Sequence, residues 1–256
     1  MPLIQFLLLL RKENEVMIIT SQGTGHYEEG INNQDFGIEK GRMLLILDGC
    51  SDAKYAEVGT RLFGQLFSRK EECENKDKFE DNVKEVFDEL IGLAKKYYPK
   101  QKELEEKFIM ENLLFTIIAC FETNDEFIVK IFGDGYVITQ NKYGLLSYLK
   151  YSYGGCPPYY AYKYCSNLKE FKEYNFKEFT FDKKSFCNVS IGTDGVSPFV
   201  RGNIPYIDDY IVLKNGRAIL ETISNYKERF FDDVTVGIFG ERNENKYGTT
   251  EQNKIT

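Results

Sequence analysis

Asp48, Asp134 and Asp194 are each followed by glycine, and each closes an apolar, strand-like run: MLLIL, FIVKIFG and CNVSIGT. Carboxylate oxygens suit hard cations such as Mg²⁺ and Mn²⁺, and a glycine beside the Asp lets the backbone bend close and offer a carbonyl as a further ligand. A fold that gathers these strand ends would build a carboxylate cage, so a divalent metal site is the first expectation. Asp-Gly is also a favoured pair for tight turns between strands. For Asp134-Gly135 the turn reading is good on its own, because EFIVKIF precedes it and YVITQ follows it. The other two pairs favour a site, since neither CSDAKYAEVGTRLFGQLF after Gly49 nor VSPF after Gly195 reads as a returning strand.

The elements that must carry these aspartates follow from periodicity. Met17 to Thr20 reads as a short strand, followed by an irregular polar loop, SQGTGHYEEGINNQD, and then strand MLLIL. From Ala56 the apolar positions Leu62, Phe63, Leu66 and Phe67 recur at helical spacing, as do Phe79, Val83, Val86, Phe87, Leu90, Ile91 and Ala94. Two helices are therefore expected before the next strand, Leu113 to Phe121, whose unbroken apolar run suits burial on both faces. EFIVKIF, YVITQ and LLSYL are expected to continue as an antiparallel meander through the turn at Asp134. Tyr151 to Asp182 has no sustained period and reads as a surface excursion. Cys187 to Gly192 then delivers Asp194, Arg217 to Tyr226 is a helix, and Val234 to Phe239 is a last strand entered from Asp232-Asp233. Grouped helices and dominant strands argue α+β with antiparallel sheets.

Bulk properties narrow the function. The chain has 256 residues, 42% of them hydrophobic, an ordinary globular composition. A net charge of −7 argues against non-specific nucleic-acid binding. The six cysteines include no C-x-x-C pair and there is one histidine, His26, so structural zinc is not expected. Buried thiols at Cys120 and Cys187 suit a reducing cytoplasm. The opening MPLIQFLLLLRKENE lacks a basic leader and a cleavage site and is too short to span a bilayer, so no membrane association is expected. Either it packs on the core or Met17 is the natural start. One domain is expected over 17–241, with 1–16 an extension of open role and 242–256 a polar, frayed tail.

Taken in order, GTGHYEEGINNQD, LDGCSDAKYAEVG, FGDGYV, IGTDGVSPF and FDDVTVGIF resemble the successive motifs of the type 2C metal-dependent protein phosphatases, the PPM family. The first motif's G-x-x-H followed by N-Q-D, and the segment CPPYYAYKY, are similar to its divergent bacterial branch. The resemblance implies a four-layer α-β-β-α sandwich of two central antiparallel sheets flanked by helices. It implies a cytoplasmic, monomeric phosphatase acting on phosphoserine and phosphothreonine in proteins, opposing a Ser/Thr kinase. It further implies two Mn²⁺ or Mg²⁺ ions, with Asp48 bridging both, the Gly49 carbonyl on one, and Asp194 and Asp232 on the other. Asp35 and Gln34 would hold metal-bound waters, Asp134 with Asp194 would take a third, weaker ion, and Asp233 would support the first ligands. The order of Asp232 and Asp233 in those roles stays open. Such ions lower the pKa of a shared water and offset charge on the phosphoryl oxygens.

The chain departs from the pattern in two places. An Arg that many members use to clamp phosphate is replaced by Gly30, and the D-G-H-G histidine is replaced where this chain reads Asp48-Gly49-Cys50-Ser51. His26 is the expected donor to the phosphate or to the leaving oxygen, its alternative being a loop histidine that caps a turn. Ser51 is a further candidate for phosphate, or with Asp52 a cap for the helix that follows. Arg42 and Arg61 are candidates to replace the clamp, against plain surface solvation. The Tyr151 to Tyr164 segment is either a substrate flap or core. A second function class also fits: a catalytically weak or inactive member that binds a phosphoprotein or kinase. Hydrolysis of a small phosphorylated metabolite is a third.

Overall fold

The computed structural model describes residues 17–153, 156–200 and 216–239. The expectations for 1–16 and for the tail 242–256 lie outside the described residues.

The strands form two five-stranded antiparallel sheets. One sheet holds β1 (Met17–Ser21), β10 (Val234–Ile238), β9 (Phe186–Gly192), β6 (Gly135–Asn141) and β7 (Leu146–Tyr151), in that order. The other holds β2 (Phe36–Lys40), β3 (Met43–Gly49), β4 (Phe115–Glu122), β5 (Glu126–Phe132) and β8 (Lys177–Asp182). Central strands β3 and β4 are almost continuous apolar runs because both their faces are covered. Alternate residues separate two environments: Leu44, Ile46, Ile118 and Cys120 join Val137, Val189 and Ile191 between the sheets, while Leu45, Leu47, Ile117 and Ala119 face helices.

On that outer face lie α2 (Ala56–Ser68), α3 (Phe79–Tyr97) and α4 (Lys102–Asn112). Phe63 packs against Phe87 and Phe115 at ring distances of 5.1 and 5.3 Å. On the opposite outer face, Phe199 of α5 (Ser197–Val200) and Ile219 and Ile223 of α6 (Gly216–Asn225) cover Ile19, Tyr136, Ile138 and Val236. Helices thus flank both faces of the paired sheets, as expected of the four-layer sandwich.

The details differ from expectation at four points. The loop after β1 contains a short helix, α1 (Thr24–Glu29), and β2 and α4 were not resolved by periodicity. The hairpin expected at Asp134-Gly135 does not exist: β5 pairs with β4 and β8, whereas β6 pairs with β7 and β9 in the other sheet. The chain crosses between sheets here, and Gly133 and Gly135, at φ of 101° and 148°, occupy backbone conformations that side-chain-bearing residues avoid. The excursion from Tyr151 to Asp182 ends in the edge strand β8 and sends Tyr159, Tyr160, Ala161 and Cys165 into the helix-side core, Tyr160 stacking on Phe87 at 4.7 Å. For those residues the core reading is the correct one. Nor do Ser51 and Asp52 cap α2, whose N-cap is Tyr55 without a side-chain hydrogen bond.

Candidate active site

Every predicted aspartate lies at the same end of the sandwich. Asp35 precedes β2, Asp48 ends the apolar run of β3, Asp134 sits in the β5–β6 crossing, Asp194 follows β9, and Asp232 and Asp233 lead into β10. Antiparallel pairing dictates this, since the end of β3 lies beside the start of β2 and the end of β9 beside the start of β10.

Burial and mutual charge dominate the electrostatics. Desolvation first, then the charges of Asp35, Asp194, Asp232 and Asp134, hold the Asp48 carboxyl well above the ordinary carboxylate range. Burial and the Asp233 charge do the same to Asp35, against hydrogen bonds from Thr235 and Thr193 that favour its ionised form. Burial and then Asp194 push Asp134 up to about 6, while burial and then Asp232 raise Asp194. Burial is also the main cause that raises Asp232. The Asp194 backbone N–H points at Asp48 Oδ2, 3.5 Å away, joining the two sheets across the site.

Asp232 and Asp233, alike in sequence, are unlike in place. Asp233 is 2% exposed and accepts from Gly23 N at 2.8 Å, Gln34 N at 2.6 Å and His26 Nδ1 at 2.8 Å. The Asp232 side chain is 42% exposed, with Oδ1 4.0 Å from His26 Nε2. Ligand-type atoms of His26, Asp232 and Asp233 lie within 4.8 Å of one another, but both Asp233 oxygens are already engaged by donors. Asp233 is therefore a brace: it docks α1 and the Gln34 turn and turns His26 so that Nε2 faces Asp232.

The donor set fits divalent cations. Buried and half-buried carboxylates that repel one another need positive charge to offset them. Gly49 presses so closely on its neighbours that a Cβ there would lie 2.8 Å from both the carbonyl oxygen and the Cβ of Gln34. The Gln34 Oε1 is buried without a hydrogen-bond partner.

Several side chains fall elsewhere. Gly30 ends α1 in the left-handed conformation, φ 71°, which explains why this position is not a long side chain. Arg42 lies at the far end of β3, bonded to Asn124, and so is not part of the site. Arg61 donates to the Asn33 and Glu57 carbonyl oxygens and anchors the Asn33–Gln34 turn to α2. Ser51 is exposed beside the site, and half-buried Cys50 contacts the Tyr159 hydroxyl. Sequence reasoning missed Thr193, whose hydroxyl donates to Asp35 at 3.0 Å and accepts from Thr235 N; its place in the T-D-G motif was the available signal.

The family model described as "Protein phosphatase 2C" matches residues 22–229. Among solved structures, the serine/threonine phosphatase Stp1 from Staphylococcus aureus is 15% identical with a TM-score of 0.58, covering 92% of this chain and 98% of that one. The serine/threonine phosphatase PstP/Ppp of Mycobacterium tuberculosis is 14% identical with a TM-score of 0.57, covering 89% and 99%. A structure of the PstP catalytic domain in complex with two manganese ions has a TM-score of 0.54 at 14% identity, covering 88% and 96%. No curated protein sequence matches the chain.

Proposed function

The chain belongs to the protein phosphatase 2C family, and on that premise we propose that it is a metal-dependent serine/threonine protein phosphatase. The observation that carries this reading is the convergence of Asp35, Asp48, Asp194 and Asp232 from both sheets on one end of the sandwich, where burial and mutual repulsion make them poor company without cations.

Asp48, the Gly49 carbonyl, Asp194 and Asp232 would hold two Mn²⁺ or Mg²⁺ ions, with Asp35 and Gln34 behind them and Asp134 beside Asp194 for a third. Such ions supply an activated water and offset charge on a phosphoryl group. The protein's own contribution is placement. Thr193 fixes one Asp35 oxygen, Asp233 takes the His26 Nδ1 proton, and the Nε2 edge faces the Asp232 side of the site, where it donates to a phosphoryl or leaving oxygen only in the imidazolium form that carries both ring protons. Exposed Ser51 stands at the rim as a further contact for phosphate. We take the substrate to be a phosphorylated protein and the setting to be a monomer in the cytoplasm, opposing a Ser/Thr kinase. Six unpaired thiols and the absence, among the described residues, of any helix long and apolar enough to cross a membrane are compatible with that setting.

A specific observation supports a second reading. No side chain projects from Gly30, so a catalytically weak phosphoprotein-binding or kinase-binding role remains the alternative. The deciding measurement is phosphate release from a phosphothreonine peptide with Mn²⁺, Mg²⁺ or EDTA, run beside Asp48→Asn. Turnover that needs both metal and Asp48 is expected; full activity in Asp48→Asn refutes the mechanism, and metal binding without turnover favours the binding protein.

A further inference from the structure

A bound phosphate adds negative charge to a site that already holds six aspartates, Asp35, Asp48, Asp134, Asp194, Asp232 and Asp233. Two divalent cations would offset four of those six charges, so a phosphate arriving there benefits from another positive group. The basic side chains suggested by sequence are committed elsewhere: Arg61 to the Asn33 and Glu57 carbonyls, Arg42 to Asn124 at the far end of β3. Lys54 lies over the Tyr55 ring at 4.9 Å.

We infer that Lys150, the penultimate residue of β7, holds the substrate's phosphoryl group from the Asp134–Asp194 side and replaces the arm that is missing at Gly30. The inference rests on the phosphatase reading and names a residue of that same site. Lys150 is directly opposite Tyr136 across the β6–β7 ladder, Tyr136 is opposite Gly192 on β9, and the chain reaches Asp194 two residues later. Directly opposed residues share a face of the sheet, so Lys150 lies with Tyr136 on the outer face, and the next pair of the ladder, Gly135 with Tyr151, adjoins Asp134, which puts Lys150 at the site end of the sheet. Its ammonium lies over the Tyr136 ring, 5.8 Å from the centroid, which restrains the flexible stem on that face while the residue stays exposed. The lysine charge also opposes the upward shifts of both Asp134 and Asp194, which places it within electrostatic reach of each. A compact ammonium can hold phosphate as a point charge, in contrast to a bidentate guanidinium.

The test is calorimetric titration of inorganic phosphate into the full chain loaded with Mg²⁺, comparing the unaltered protein with Lys150→Gln and Lys150→Arg, alongside phosphothreonine-peptide kinetics. Loss of one charge-assisted contact should weaken phosphate binding roughly tenfold or more in Lys150→Gln. KM should rise with a smaller change in kcat, and Lys150→Arg should keep most of the affinity. An unchanged phosphate Kd in Lys150→Gln, or no phosphate binding by the unaltered protein, overturns the inference. Lys150-dependent phosphate binding without turnover would instead refute the phosphatase reading alone, while normal turnover with an unchanged Kd would refute the Lys150 assignment alone.

Discussion

Asp48 shows most directly what a single residue must trade between stability and chemistry. Its carboxylate is half-buried among other carboxylates, and desolvation with their charges opposes its ionisation, so without cations it destabilises the fold it sits in. In EDTA, Asp48→Asn should therefore melt higher than the unaltered protein. Relieving about 1 kcal/mol corresponds to roughly 2–4 °C in a chain of this size. The same variant should lose most of the increase in Tm that Mn²⁺ gives the unaltered protein. Thermal melts in EDTA and in Mn²⁺ check both statements, and a lower Tm for Asp48→Asn in EDTA would mean that the carboxylate is already satisfied within the fold. Asp48 was legible in sequence because a polar residue stood at the end of an unbroken apolar run. Lys150 was not, because nothing in LLSYLKY separates a phosphate-facing lysine from an ordinary edge-strand lysine; only the pairing with Tyr136 and the proximity of Asp194 do so.

At the scale of elements, α1 is too short to be stable alone and is held by what it docks against. Asp233 accepts from Gly23, His26 and Gln34 together, so it fixes both ends of the first motif to the start of β10. Asp233→Ala leaves three buried donors unpaired and should cost on the order of 3–5 kcal/mol. Urea unfolding measures the stability loss, and turnover should fall with it; a variant of unaltered stability would show that α1 docks by its Phe230 and Phe231 backbone contacts alone. The outer core permits a similar estimate: Phe63→Ala, which empties a position between Phe67, Phe87 and Phe115, should cost about 3–5 kcal/mol by urea unfolding. Periodicity gave α2, α3, α6 and the central strands because their burial is one-sided or complete. It missed α4, whose apolar positions form a weak face with Ile109 as its one fully covered residue. It misassigned the β5–β6 connection because two adjacent strand-like runs joined by Asp-Gly have the composition of a hairpin whether or not they pair. Only the strand order of the sheets separates the two cases.

For the whole molecule, the site sits where the two sheets meet, and its ligand candidates are divided between them. Asp35, Asp48 and Gly49 belong to the β2–β3 side, Asp194 and Asp232 to the β9–β10 side. A cation held by both groups ties the layers together at an end where the apolar filling between the sheets gives way to aspartates and to the hydroxyls of Thr116, Thr193 and Thr235. Binding should thus be coupled to global stability. At a free Mn²⁺ concentration of a hundred times Kd, one site contributes about 2.7 kcal/mol, provided the unfolded chain does not compete. For a protein of this length that is an increase in Tm of roughly 5–10 °C. The expected result is a Tm that climbs with the logarithm of Mn²⁺ concentration and returns to its starting value on adding EDTA. The amide protons of β3 and β10, on opposite sides of the site, should gain exchange protection together. Protection confined to one sheet, or a Tm indifferent to Mn²⁺, would mean that the carboxylates do not share a cation across the interface.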